Sequence, residues 1–350
     1  MKLRTRKLLS FLFIVASLGI VLVIAFSNNE LGSAWETLFT LHPGWLAGAG
    51  ICWFCYLFFD ALAYHYFLRR QHHPVKLRSN LYVSLMGFYY ANITPGASGG
   101  EPMQIYYMTK LNIPVGIGTS AVALKLLCNQ FMTVLLASVL WLCNAAFIDV
   151  QLAGAKWAVI LGWIVNFAAV PLVLLAALHR PLVQRVVNFG LRLGVKMRLI
   201  KNLAVAEVHV NTMLDTYHES VLRVGRSPKE ILLQLLMSAA SLLGLMGVPV
   251  FVYYAFGQTG VPWYQLLTIS FLLYISASYT PLPGGSGAQE GGFLVYFRGL
   301  FAASSIGLAL LVWRFITFYL FLLLGATAVL ISGIRMVRKR SAAQAKKPES

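Results

Sequence analysis

Thr94-Pro95-Gly96-Ala97-Ser98-Gly99-Gly100-Glu101-Pro102 interrupts an apolar region, and a second interruption of the same kind lies far downstream: Thr280-Pro281-Leu282-Pro283-Gly284-Gly285-Ser286-Gly287-Ala288-Gln289-Glu290. Both run Thr-Pro, glycines around a serine, then a glutamate. Each follows an apolar run too short to span a bilayer, residues 79–92 and about 264–279, and each precedes another short apolar run. Crossing a bilayer takes about 20 apolar residues, so each pair of runs predicts a re-entrant hairpin broken at its tip. Irregular backbone at membrane depth survives only where protein buries it or where it lines a wet cavity. The two loops are therefore the candidate working parts.

The rest of the chain sets these loops in a membrane protein. Of its 350 residues 59% are hydrophobic and 11% charged, with a mean hydropathy of +0.73. That is more apolar surface than one soluble core buries. The 28 Lys+Arg against 11 Asp+Glu give a net charge of +17, a balance that elsewhere suggests nucleic acid. Here the basic residues sit beside apolar spans, as the positive-inside bias requires, and face anionic head groups at the inner leaflet. No nucleic-acid partner is expected. The four cysteines, Cys52, Cys55, Cys128 and Cys143, all fall within apolar spans and read as small buried hydrophobes. The histidines show no metal-ligand spacing, and His72-His73 reads as a solvated pair.

Lys2, Arg4, Arg6 and Lys7 precede an apolar run from Leu8 to Phe26, 19 residues long. No small-residue cleavage site follows, so it reads as an uncleaved anchor with a cytoplasmic N-terminus. Further spans are expected at about 44–68, 117–148, 157–179, 230–257 and 304–331. Residues 180–229 carry nine basic residues and apolar positions at helical spacing (Leu182, Val186, Phe189, Leu193), predicting amphipathic helices on the inner leaflet. With this orientation 24 of the 28 basic residues are cytoplasmic: four at the N-terminus, four at 69–78, Lys110, nine in the linker and six in the tail. The expected organisation is an anchor and outside loop (1–43), membrane half one (44–179, re-entrant at 79–110), a basic cytosolic linker (180–229), membrane half two (230–335, re-entrant at 264–300) and a basic cytosolic tail (336–350). The fold class is an all-α polytopic membrane protein of about six spans plus two re-entrant hairpins.

Two charges fall inside spans. Lys125 lies 24 positions after Glu101, and Arg314 lies 24 after Glu290. Each half thus runs span, broken hairpin, glutamate, long span with a cation, and the loop charges give the halves opposite topology. Inverted repeats with discontinuous helices mark transporters, with the substrate site at the breaks. New helices are expected at about Gly100 and Ala288, with free N–H groups and the positive dipole end facing the loop, which suits an anion. Intramembrane charges point to function. The candidate substrate-binding residues are Thr94, Gly96, Ser98, Gly99, Gly100, Glu101, Lys125, Thr280, Gly284, Gly285, Ser286, Gly287, Glu290 and Arg314. The threonine and serine hydroxyls are expected to donate to phosphate oxygens, and the glutamates to hold the cations until a phosphate arrives. A purely structural alternative makes Glu101 and Glu290 helix caps in fixed pairs with Lys125 and Arg314. Asp60 has no cation near it in sequence and reads either as a buried hydrogen-bonded group or as a pathway residue. Asn129 and Gln130, one turn from Lys125, read as pathway candidates or, more commonly for such residues, as helix ties.

The paired TPG-x-SGGE and TPLPGGSGxxE loops and the basic middle segment resemble the membrane region of lysylphosphatidylglycerol synthases, the flippase-like UPF0104 family, over about residues 8–335. That family includes the membrane part of the multiple peptide resistance factor. The resemblance implies movement of a lipid such as phosphatidylglycerol or its lysyl derivative between leaflets of a bacterial inner membrane, and a part in resistance to cationic antimicrobial peptides. The membrane region is followed by a short polar tail, so no soluble transferase is expected in this chain and lipid translocation is the expected function. Phosphatidylglycerol lysyltransferase activity, alone or with a separate lipid-modifying enzyme, is one alternative. A non-transporting scaffold for a lipid or polyprenyl phosphate is the other. No catalytic residue, metal or cofactor is expected, and with no P-loop in the sequence, ATP-driven pumping by this chain is not expected either. The expected partners are the membrane and an anionic phospholipid or polyprenyl-phosphate lipid.

Overall fold

The computed structural model describes residues 31–179, 227–278 and 280–344, with isolated positions elsewhere. The expected anchor at 8–26 and most of the linker at 180–229 lie outside the described residues. Among the described residues every regular element is helical. They are α1 (Leu31–Thr40), α2 (Pro43–Arg70), α3 (Leu77–Ile93), α4 (Gly100–Thr109), α5 (Val115–Cys143), α6 (Ala145–Gln151), α7 (Lys156–Leu178), α8 (Pro228–Ala255), α9 (Trp263–Ala277), α10 (Ala288–Tyr296), α11 (Ile306–Arg314) and α12 (Leu320–Gln344). A π-helical turn, Phe315–Tyr319, joins α11 to α12.

Among the described residues four helical runs are long and apolar enough to cross a membrane: α2, α5, α8 and Ile306–Ser332. A fifth expected crossing falls on the apolar helix α7. The crossing expected over 117–148 is shorter than the sequence suggested. Its helix ends at Cys143 because Asn144 turns the chain, its Nδ2 donating to Leu140 O (2.9 Å) and to Thr268 Oγ1 of α9 (3.0 Å).

The central seam joins α2 to α8. Each begins with proline in its first turn, where the missing N–H costs nothing, and α2 ends in Arg69 and Arg70, which favour the negative end of its dipole. Contacts run in opposite order along the two helices. His42 N donates to Ala255 O (3.1 Å), Ser241 Oγ to Tyr56 O (2.9 Å) and Gln234 Nε2 to Ala63 O (3.1 Å), and Arg70 Nε lies 3.3 Å from Glu230 Oε1. The helices are therefore antiparallel. A Cβ on Gly244 would meet Cys52 O at 2.7 Å and Tyr56 N at 2.8 Å, so the backbones touch here. With no hydrophobic effect to drive association in lipid, such close packing by small residues and the cross-helix hydrogen bonds supply the adhesion.

The helices end and restart where the two loops predicted. α3 stops at Ile93, a 3₁₀ turn spans Pro95–Ala97, and α4 begins at Gly100. α9 stops at Ala277, a 3₁₀ turn spans Pro283–Gly285, and α10 begins at Ala288. The two breaks touch, Gly96 N donating to Pro281 O at 3.0 Å. Behind them α5, α7 and α9 are joined by amides: Gln130 Nε2 donates to Asn166 O and Oδ1 (both 3.0 Å), and Asn166 Nδ2 to Ile275 O (3.1 Å).

Candidate functional site

A cavity of about 240 Å³ opens where the breaks meet. Both breaks line it, through Gly96, Thr280, Gly284 and Gly285, and so does Arg314. Its walls come from α2, α3, α8, α9 and the α11–α12 run, among them Tyr56, Phe88, Trp313 and Phe318. Gly284 has a left-handed φ of +61°, and a Cβ there would collide with the Phe318 ring. Only glycine satisfies both constraints.

Arg314 is the site's cation. It is 4% exposed and Glu290 is 3% exposed. Arg314 Nε donates to Glu290 Oε1 at 2.7 Å, Nη2 lies 2.6 Å from the same oxygen, and Nη2 also donates to Gly284 O at 3.2 Å. The guanidinium lies over the rings of Phe318 (4.9 Å) and Trp313 (5.5 Å). Glu290 Oε2 in turn accepts the Gly287 N–H at 2.6 Å, capping α10. The chain's own carboxylate thus occupies the helix N-terminus that an anion would favour.

The first break is wired differently. Lys125 Nζ donates to Asp60 Oδ1 at 2.7 Å, so its partner is Asp60 of α2 and not Glu101. The expected Glu101–Lys125 pair is absent. The cation lies 4.8 Å over the Tyr64 ring and 5.8 Å over Phe88. Tyr64 OH donates to Gln104 Oε1 at 2.6 Å, fixing α4 against α2. Asp60 Oδ2 is buried without a partner. Glu101, in the first turn of α4, has no hydrogen-bond or ion-pair partner among the described residues. The physical reason is that an aspartate from the facing helix reaches the ammonium, a contact 65 positions apart in sequence.

The hydroxyls expected to donate to a phosphate are mostly engaged. Thr94 Oγ1 donates to Tyr90 O (2.7 Å) and accepts Gly99 N (2.8 Å), Ser98 Oγ donates to Pro95 O (2.9 Å), and Ser286 Oγ to Pro283 O (3.0 Å). These three hold the turns, as short side chains next to a chain break do. Thr280 alone of the four lines the cavity. Gly99 packs on the Thr94 side chain, and Gly100 on Ala91 and the Gly87 carbonyl. Gln130 is a helix tie. Asn129 lies outside the cavity, its carbonyl accepting Thr133 Oγ1 (2.8 Å). Sequence reasoning missed Asn92 and Gln289, which line the cavity from the two broken helices. Their closeness to the two motifs was the available signal.

A family model described as Lysylphosphatidylglycerol synthase TM region matches residues 8–325. The comparison with curated proteins finds no match.

Proposed function

The chain belongs to the lysylphosphatidylglycerol synthase TM region family, and on that premise we propose that this multi-pass, lipid-associated membrane protein translocates a phosphate-bearing lipid between leaflets. The observation that carries the reading is the cavity between the two touching breaks, with one buried arginine in its wall. A buried charge retained at membrane depth is costly unless it has a task. The segments from α2 to α5 and from α8 to α12 are read as inverted halves, and the antiparallel α2–α8 seam supports this. The breaks are then re-entrant hairpins meeting across the pseudo-axis. A lipid phosphate docks on Arg314 and on the Gly284 N–H, with Glu290 kept on the other side of the guanidinium, while the acyl chains stay in the bilayer. The termini face the cytoplasm, by the distribution of basic residues. The setting is a bacterial inner membrane, and the linker at 180–229 lies along its inner leaflet.

The test is leaflet exchange in vesicles of fluorescent phosphatidylglycerol, its lysyl derivative and a polyprenyl phosphate, for wild type, Lys125→Ala, Arg314→Ala and the double variant. Exchange above that of empty vesicles that is lost in folded Arg314→Ala supports translocation. Binding without exchange of any lipid would sink it in favour of a lipid-holding scaffold. Lysyl transfer to phosphatidylglycerol by the chain with a partner enzyme, again without exchange, would instead make it a synthase subunit.

A further inference from the structure

We infer that the cavity is built for a single phosphate bearing a small uncharged polyol, of glycerol size, and rejects a head group that carries an added ammonium. This inference rests on the lipid-binding reading of the same cavity and specifies its substrate class.

Three observations carry it. The first is the absence of an acid in the wall. Among the described residues Arg314 is the only charged one lining the cavity, and neither Asp60, Glu101 nor Glu290 reaches its surface. Glu290 is already held by Arg314 and the Gly287 N–H, and Asp60 by Lys125. A head-group ammonium would enter with no carboxylate to meet it and with the guanidinium nearby, an unfavourable juxtaposition of like charges.

The second is that the aromatic faces nearest the charge, the other common receptor for an ammonium, already face a cation of the chain. Trp313 and Phe318 lie against Arg314, and Phe88 lies under Lys125, while Tyr56 is stacked on Phe88. The third is the free hydrogen-bonding capacity. Asn92, Thr280 and Gln289 line the cavity, and none of their side chains has a hydrogen-bond partner among the described residues. Two amides and a hydroxyl, donors and acceptors without charge, match the hydroxyls of a polyol. The cavity's volume of about 240 Å³ accommodates a phosphoglycerol head group.

The experiment has two arms, so that selectivity is read even where transport fails. In the first, binding of short-chain phosphatidylglycerol, its lysyl ester, phosphatidic acid and diacylglycerol to the purified full chain in detergent is ranked by native mass spectrometry. In the second, leaflet exchange of the same four lipids is ranked in vesicles. Phosphatidylglycerol is expected to exceed its lysyl ester by at least about tenfold, the factor that a charge mismatch of about 1.4 kcal/mol gives. Gln289→Glu places an acid in the wall and is expected to narrow or invert that ratio. Asn92→Asp, on α3 rather than α10, gives the same readout if the first variant misfolds. Equal or tighter binding of the lysyl ester by wild type overturns the inference, as does a ratio that neither acidic variant moves. Selective binding without exchange of any lipid upholds the selectivity and overturns only the translocase reading.

Discussion

The two breaks share the order Thr-Pro, glycines, serine, glutamate, and each has a cation 24 positions beyond its glutamate, yet they hold that cation differently. At the second break the glutamate, the arginine and the helix N-terminus form a closed set in the cavity wall. At the first break the lysine is drawn away to Asp60, Glu101 is left without a partner, and neither charge lines the cavity. Identical spacing has given one ion pair in the cavity wall and one that ties α2, α4 and α5 together. The shared spacing set the positions, and the facing helix decided the partners.

The comparison breaks most sharply at Arg314. Arg314→Gln leaves Glu290 buried without its cation and is expected to destabilise the protein by about 3–5 kcal/mol, read from unfolding in detergent. Adding Glu290→Gln is expected to restore most of that stability, since replacing both members of a buried pair is far less costly than breaking it. In the first half the loss should be smaller. Asp60→Asn is expected to cost about 1.5–3 kcal/mol, the range for a lost charged hydrogen bond, because Glu101 remains as a second carboxylate on α4. The double variant Asp60→Asn/Glu101→Gln should bring the cost up to that of Arg314→Gln. A single-variant cost already that large would show that Glu101 is no reserve.

The glycines sharpen the same contrast. Gly96 and Gly284 have nearly the same φ, +57° and +61°, but a Cβ at Gly96 meets open space and one at Gly284 meets Phe318. Gly284→Ala is expected to cost about 1–3 kcal/mol more than Gly96→Ala, from overpacking added to the shared backbone strain. The smallest effect is expected at Gln130. Gln130→Met removes a tie to Asn166 and should cost about 1 kcal/mol with no change in the rate of lipid exchange.

What the sequence made legible follows from the range of its signals. Helix breaks are local, set by Pro95, Gly96, Pro283 and Gly284, so new helix starts at about Gly100 and Ala288 were readable. The Glu290–Arg314 pair was readable because both residues lie within one broken-helix unit. The Asp60–Lys125 pair was not, because it depends on how α2 packs against α5, and nothing in either segment encodes that register. The same holds for Ser98 and Ser286: their residue type suits a phosphate, but the turn geometry gives their hydrogens to Pro95 and Pro283. The aromatic walls were hidden for a simpler reason. In a membrane span Phe88, Trp313 and Phe318 look like any lipid-facing residue until the fold shows which way they point.

The central claim, that Arg314 receives the lipid phosphate, is tested most directly by the Arg314→Gln/Glu290→Gln variant, whose buried charges are removed together. Leaflet exchange of fluorescent phosphatidylglycerol should fall to the rate of empty vesicles while the unfolding temperature stays close to that of the wild type. A folded double variant that exchanges the lipid at the wild-type rate would contradict the account and leave the buried pair a structural tie.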